Sequence, residues 1–285
     1  MKSIKSIIAA AALAAFGLAG GTPANAKDWS RIRIGVEGAF PPWNLTDANG
    51  KLAGFDIDLI NNLCDRAKVS CELFAQEWSG MIPSLNAGKF DAALSIGINE
   101  ARKKVIDFTV PYASGAATFA IAKKGSIPAL PMTGERLDLN DKAKAEPVVA
   151  EIDKLIKGKT VGVVASTSHE QLINTFFGKD VSVRTYKTSQ ERDFDLLAGR
   201  VDIGFDSAIY TMYIKDKPGN EELAASGPLI KGAMLATEVA IGLRKDEPEL
   251  KALFDKAIGE ALADGTIRTL SVKWMKFDLS PAKAN

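Results

Sequence analysis

Leu85-Asn86-Ala87-Gly88-Lys89-Phe90-Asp91 is answered later in the chain by Leu196-Leu197-Ala198-Gly199-Arg200-Val201-Asp202. Each copy reads as the end of a helix, a glycine that can take the left-handed C-terminal position, a basic residue, and a strand opening on aspartate. The repetition predicts two similarly built lobes. Function then belongs to the cleft between them rather than to any single residue.

Upstream of the first copy, Arg31 to Glu37 alternates apolar and polar residues as a strand does, until Gly38, Pro41 and Pro42 break it. From Asp56 the apolar residues Ile57, Leu59, Ile60, Leu63 and Ala67 recur at helical spacing. Cys71 to Ala75 reads as a strand, Ser79 to Ala87 as a helix and Asp91 to Leu94 as a buried strand. Tyr112 to Ala117 is dominated by small residues, which suits a crossing between lobes because little bulk opposes a change in φ/ψ. The second half alternates again, with strands at Thr160 to Val164, Val181 to Tyr186 and Val201 to Phe205. Its helices fall near Pro147 to Ile156, Glu170 to Phe177 and Ser189 to Ala198. Gly125 to Glu146, rich in Pro, Gly and charge, reads as a surface excursion. Val239 to Leu243 is a further strand, followed by helices at Glu247 to Ala263 and Ile267 to Met275.

This βαβ alternation predicts an α/β chain with two lobes, each a mainly parallel sheet flanked by helices. Residues 27–114 and 236–285 are expected to form lobe 1 and residues 115–235 lobe 2, with a two-stranded hinge near 113–117 and 232–238. Residues 1–26 read as a secretory signal: Lys2 and Lys5, an apolar run from Ile7 to Ala19, and the small-residue site Ala24-Asn25-Ala26. A membrane anchor is the competing reading, but the run is shorter than the roughly 20 residues a spanning helix needs.

The net charge of +1 gives no reason to expect nucleic acid or an anionic membrane as partner. In an oxidising compartment Cys64 and Cys71 should bridge. The alternative is zinc, but two cysteines and the single His169 do not complete a four-ligand shell. No metal and no cofactor are expected.

Gly54-Phe55-Asp56-Ile57-Asp58-Leu59, the cysteine pair and Gly242-Leu243-Arg244-Lys245 occur in an order and spacing that run through nearly the whole chain after the leader. In these the sequence resembles the periplasmic solute-binding proteins of polar amino-acid ABC importers, the lysine/arginine/ornithine and histidine receptor family. Glu37-Gly38-Ala39-Phe40-Pro41-Pro42, Trp78-Ser79-Gly80 and Thr167-Ser168-His169-Glu170 are most similar to the octopine- and nopaline-binding members. The resemblance implies the two-lobed periplasmic binding protein fold of type II, and a disulfide at Cys64 and Cys71.

It also implies binding residues. Arg102 falls where the family places its carboxylate-binding arginine, and a guanidinium suits that task because it gives two parallel charge-assisted bonds. A solvated arginine beside Lys103 and Lys104 is the plainer reading. Thr167 and Ser168, with Ser166, precede a helix, where N–H groups and hydroxyls suit an anion and equally suit a simple cap. His169 is a ligand hydrogen-bond candidate rather than a catalyst. Glu37 would meet an amine or guanidinium, and Phe40 and Trp78 would offer flat apolar faces. Each of the three also has an ordinary core or surface reading. Ser95 and Gly97 align with family binding positions. Asp56 suits either a ligand's distal charge or a helix cap.

Ser207 stands where the family usually has the aspartate that holds an α-ammonium, with Asp206 next to it. Serine cannot neutralise an ammonium, so the resemblance points to a substituted amine, as in an opine. Ala165 replaces a glutamine of the lysine/arginine receptors, and Ala117 leaves room near the first crossing. The expected protein is a monomeric periplasmic receptor without catalysis. It closes on an amino acid or opine and delivers it to an inner-membrane ABC permease. An enzyme of dehydratase type on the same scaffold is the alternative.

Overall fold

The computed structural model describes residues 27–281; the secretory signal read at 1–26 lies outside the described residues. The chain opens with strand β1 (Arg31–Val36), three short strands β2 (Ala39–Phe40), β3 (Asn44–Thr46) and β4 (Leu52–Ala53), helix α1 (Phe55–Ala67) and β5 (Ser70–Ala75). Helix α2 (Met81–Asn86), β6 (Ala92–Gly97), α3 (Glu100–Lys103), β7 (Asp107–Phe108) and β8 (Ala113–Ser114) follow. Then come β9 (Ala117–Ala122), β10 (Arg136–Asp138), α4 (Lys142–Ile156), β11 (Thr160–Val164), α5 (Ser168–Phe176) and β12 (Ser182–Tyr186). The order ends with α6 (Ser189–Leu197), β13 (Ile203–Ser207), α7 (Ala208–Ile214), β14 (Leu223–Lys231), β15 (Glu238–Leu243), α8 (Pro248–Ala263) and α9 (Thr266–Met275).

Two six-stranded sheets result. The first runs β5-β1-β6-β15-β7 with β8 also on β15, and the second β10-β14-β9-β13-β11-β12. In the first, β1 is parallel to β5 and β6, while the returning β15 is antiparallel to β6, β7 and β8. In the second, β11 is parallel to β12 and β13, and β9 is antiparallel to β13 and β14. Each sheet is therefore mixed, because the strand entering from the other lobe arrives with reversed direction. The chain leaves β8, passes Gly115 and Ala116, and enters β9; the way back runs beside it, with the Gly115 N–H donating to Thr237 O at 2.8 Å.

Each sheet has its own core. Ile32, Ile34 and Val36 of β1 pack with Phe55, Ile60 and Leu63 of α1 and with Phe254 and Ile258 of α8. Phe119, Val161, Val163, Ile203 and Phe205 do the same with Ile152 and Ile156 of α4 and Leu172 and Ile173 of α5. Cys64 at the end of α1 is bridged to Cys71 of β5, with Cα atoms 6.2 Å apart.

The repeated phrase does one job twice. Gly88 and Gly199 take φ of 72° and 69°, the left-handed value that lets each chain turn out of its helix. Asp91 and Asp202 then clamp a neighbouring strand in the same way. The Arg33 N–H donates to Asp91 Oδ2 at 3.0 Å and the Thr160 N–H to Asp202 Oδ2 at 2.9 Å. The backbone bond is returned in each case, Asp91 N–H to Arg33 O at 2.8 Å and Asp202 N–H to Thr160 O at 2.9 Å.

Residues 125–146 are not the surface excursion their composition predicts. Ile127, Leu130, Leu137 and Leu139 are buried in the second core, β10 pairs in parallel with β14, and α4 begins at Lys142, before Pro147. The sequence reading assigned no element to β14, although it lies between β10, to which it is parallel, and β9, to which it is antiparallel. The helix expected from Ser79 is split into a 3₁₀ turn at Trp78–Gly80 and α2.

Candidate functional site

The lobes face each other across a cleft enclosing roughly 830 Å³, part of it open to solvent. Glu37, Phe40, Trp43, Trp78, Ser95, Gly97 and Arg102 line it from the first sheet's side, and Val164, Thr167, Ser168, His169, Ser189, Asp206 and Ser207 from the second's. The crossings close its floor with Gly115, Ala116, Leu235, Ala236, Thr237 and Val239. Most wall residues lie at or just beyond the carboxyl ends of β1, β6, β11 and β13, where open α/β sheets bind ligands. The two sides touch directly: the rings of Phe40 and Tyr210 stack at 5.5 Å and 6°, and Trp78 Nε1 donates to Ser166 O at 3.4 Å.

Arg102 is placed by a local cap. Asn99 Oδ1 accepts the Arg102 N–H at 2.9 Å, and Arg102 Nη1 donates to Gly97 O at 2.8 Å while the guanidinium lies 5.1 Å from the Trp78 ring centre. No carboxylate pairs with it among the described residues, and burial lowers its pKa to about 10. It remains a cation at neutral pH with most of its N–H groups free for a bidentate acceptor.

Glu37 is the acidic counterpart, ready to ionise beside a cation. Burial, with Asp206, Glu77 and Asp56 adding repulsion, raises its carboxyl to about 8. It forms no ion pair among the described residues. A cation entering beside it would relieve that cost.

Ser95 and Ser166 take φ of 57° and 61°, left-handed values uncommon for serine. For Ser95 the cause is a register shift between β6 and β15 around Ala240 and Gly242, a bulge that re-aims the strand at the cleft. Its Oγ bonds Asp56, whose carboxylate also accepts Asn44 Nδ2 at 2.8 Å and Tyr112 Oη at 3.0 Å. Asp56 is thus buried and fully bonded, and it neither caps α1 nor lines the cleft. Burial raises its carboxyl to about 6 despite the hydrogen bonds from Ser95, Asn44 and Tyr112.

At α5 the hydroxyls serve the helix. Thr167 Oγ1 accepts the Glu170 N–H at 3.1 Å and donates to Val164 O at 2.7 Å, and Ser168 Oγ accepts the Ala236 N–H at 3.2 Å. What remains toward the cleft is the start of the helix itself, whose first N–H groups have no intrahelical acceptor. His169 is largely buried, edge-on to Phe205 at 5.6 Å, with Nδ1 3.7 Å from Asp206 Oδ1. Burial lowers its pKa against the pull of Asp206, so the ring is neutral at pH 7.

Ser207 and Asp206 both line the cleft, but Asp206 is already engaged. Its Oδ2 accepts Ser189 Oγ at 2.6 Å and a bond from Arg192 Nη1, and its Oδ1 accepts the Ser207 N–H at 2.7 Å. Burial would raise its carboxyl, but Arg192, His169, Ser189 and the Ser207 N–H outweigh that and hold it below the usual range.

Ala117 and Ala165 do not line the cleft. Ala117 is wholly buried, paired with Ser207 and Ile230 inside the second sheet, and Ala116 takes the wall position. Ala165 lies just past β11, its N–H bonded to Tyr186 O, and Val164 lines the wall instead. Sequence reasoning missed Trp43 and Ser189. Ser189 follows Thr188, whose capping box with Glu191 was a readable sign of another strand-to-helix loop at the cleft. Trp43 carried no such sign. Its Nε1 is buried without a hydrogen-bond partner among the described residues.

Two lobes joined by paired crossings, with an unpaired guanidinium and an unpaired acidic side chain facing a shared cleft, define a two-lobed receptor for a small charged solute. The chain belongs to the bacterial extracellular solute-binding proteins, family 3, whose model matches residues 32–277. It is 38% identical to the octopine-binding periplasmic protein of Rhizobium meliloti over 298 aligned positions, 98% of this chain and 99% of that protein. It is 35% identical to the L-arginine-binding protein of Pseudomonas aeruginosa, over 87% of this chain and 89% of that one. Among solved structures, an ancestral arginine-binding protein bound to arginine superposes with a TM-score of 0.72 at 28% identity, covering 86% of this chain and 98% of that chain. The protein is a substrate-binding receptor.

Proposed function

We propose that the receptor captures an opine such as octopine or nopaline, or a polar or basic amino acid, in the periplasm and delivers it to an ABC permease of the inner membrane. The observation that carries this reading is that Arg102 and Glu37 share one cleft. One is an unpaired cation and the other a carboxyl that ionises once a cation sits beside it, and neither has a counter-charge among the described residues. A ligand with a carboxylate at one end and a cation at the other completes both. Arg102 and the start of α5 take the carboxylate, Glu37 takes the guanidinium or amine, and Phe40 and Trp78 flank the aliphatic stem.

The similarity to an octopine-binding protein supports the same assignment, and so does Ser207 in the place of an ammonium-binding aspartate. Octopine carries a secondary amine between two carboxylates, so its nitrogen is partly balanced within the ligand. Closure follows from contacts made only when both lobes engage. If the open form outnumbers the closed by about 99 to 1, about 10⁴-fold tighter binding to the closed form inverts the ratio.

Calorimetry against octopine, nopaline, arginine, lysine, histidine and glutamate tests the reading. Tight binding of at least one, with the ligand recovered unchanged after prolonged incubation, is expected. Turnover would instead end the receptor reading in favour of an enzyme, and binding of none would refute the ligand class.

A further inference from the structure

Arg192 of α6 is wholly buried, an unusual place for an arginine. The sheet makes room for it. Gly162 of β11 and Gly204 of β13 face each other in register, and a Cβ at Gly162 would lie 2.8 Å from Arg192 Cγ and one at Gly204 3.0 Å from Arg192 Nε. Through this slot the guanidinium reaches two aspartates. Nη1 donates to Asp206 on the cleft wall, while Nε and Nη2 donate to Asp193 Oδ1 at 3.1 and 2.7 Å. The second oxygen of Asp193 accepts Tyr210 Oη at 2.7 Å.

Asp206 is the one carboxylate that the second lobe brings to the wall beside Ser207, next to His169 and across from Glu37. Left alone it would be the natural partner of a primary ammonium. We propose that Arg192 is a positioning residue that selects the ligand class. By holding the charge of Asp206 it withdraws the wall's anchor for a free α-ammonium, and it lets a ligand place a second carboxylate there without facing a bare anion. This rests on the reading of the cleft as an amino-acid or opine receptor.

The double variant Arg192→Met/Asp193→Asn tests it. One cation and one anion leave together, so the formal charge of the buried cluster is unchanged and only the pairing of Asp206 is lost. Calorimetry with octopine and with L-arginine should show the octopine-to-arginine affinity ratio falling by about tenfold or more. Adding Asp206→Asn should restore the ratio toward the parent value. Parallel losses for both ligands, with the ratio fixed, would overturn the proposal.

A second readout needs no ligand. His169 is the single histidine of the chain, so its NMR titration is unambiguous. In the double variant its pKa should rise by about one unit as Asp206 becomes unpaired, and in Asp206→Asn it should fall. If the parent protein binds neither ligand, the ligand reading fails and selection fails with it, while the titration still reports whether Arg192 neutralises Asp206. An unmoved His169 in a folded variant refutes that neutralisation whatever binds. Should the double variant not fold, Asp206→Asn carries the test: it keeps Arg192, lowers the His169 titration, and strengthens octopine relative to arginine, because the wall then holds no anion for a free ammonium and Arg192 can meet the ligand's second carboxylate. A ratio and titration both unchanged there would overturn the proposal.

Discussion

Replacing Glu37 by glutamine should change how many protons the protein releases when it binds a guanidinium ligand. With the carboxyl raised to about 8 by burial, Asp206, Glu77 and Asp56, the unliganded group is mostly protonated at neutral pH. At pH 7 about nine-tenths of the molecules hold that proton, by the ordinary titration relation. A cation docked against Glu37 stabilises the ionised form, so binding at pH 7 should expel about 0.9 proton. Glu37→Gln keeps the shape and loses the proton. Calorimetry in two buffers of different ionisation enthalpy measures the number directly, and any uptake at His169 is common to both proteins and cancels in the difference. The expected difference between parent and variant is about 0.9 proton, with about tenfold weakening of parent affinity per pH unit below 8. Equal proton release in the two proteins would refute the placement of the ligand's cation at Glu37. The sign for stability is opposite. The raised acid favours the protonated fold, so the unliganded protein loses stability as pH rises from the ordinary 4.5 through about 8. Glu37→Gln should therefore raise the Tm at pH 8.5 more than at pH 5.

Arg102→Ala should weaken carboxylate ligands by about 100-fold or more while leaving the Tm of the unliganded protein unchanged or higher, since the removed cation is buried and unpaired. Retained affinity in calorimetry would contradict the carboxylate assignment. Cys64→Ser/Cys71→Ser should cost about 2.5 kcal/mol in denaturant unfolding, the chain-entropy value for so short a loop, and a loss below about 0.5 kcal/mol would show that the bridge is dispensable to the first lobe. Burial would raise the Asp91 carboxyl, but bonds from Arg33 and Arg244 hold it well below the usual range. Its stabilisation is therefore present above the ordinary 3.8 and lost as pH falls below it. Asp91→Asn should lower the Tm at pH 7 and flatten its acid dependence, and an unchanged acid limb would reject this group as a contributor.

Much of the fold was legible because the informative residues act locally. Gly88 and Gly199 announce helix ends by their own conformational freedom, and Ile57, Leu59, Ile60 and Leu63 announce the buried face of α1 by spacing alone. The segment 125–146 was opaque because its Pro, Gly and charge mask four core residues separated by turns, and periodicity needs an uninterrupted element. In the cleft, Arg102, Thr167, His169 and Ser207 were placed by loop position. Ala117 and Ala165 failed by one residue each, since a single step along or just past a strand exchanges one face of the sheet for the other. Arg192 was invisible. In the run Glu191-Arg192-Asp193 it reads as one more solvated charge, and only the facing pair Gly162 and Gly204, brought together by the parallel pairing of β11 and β13, reveals the slot that admits it.

The clamp made by Asp202 sits at the amino end of β11 and that made by Asp91 midway along β1, whereas the residues that line the cleft sit at or just past the carboxyl ends of the same strands. Fastening and lining thus fall at different points of one strand. A lobe built this way behaves as a chassis with exchangeable tips. The turns after β1 and β11 can be rewritten for a new solute while the bonds that hold each strand in place stay untouched, so recognition can drift faster than the architecture that presents it.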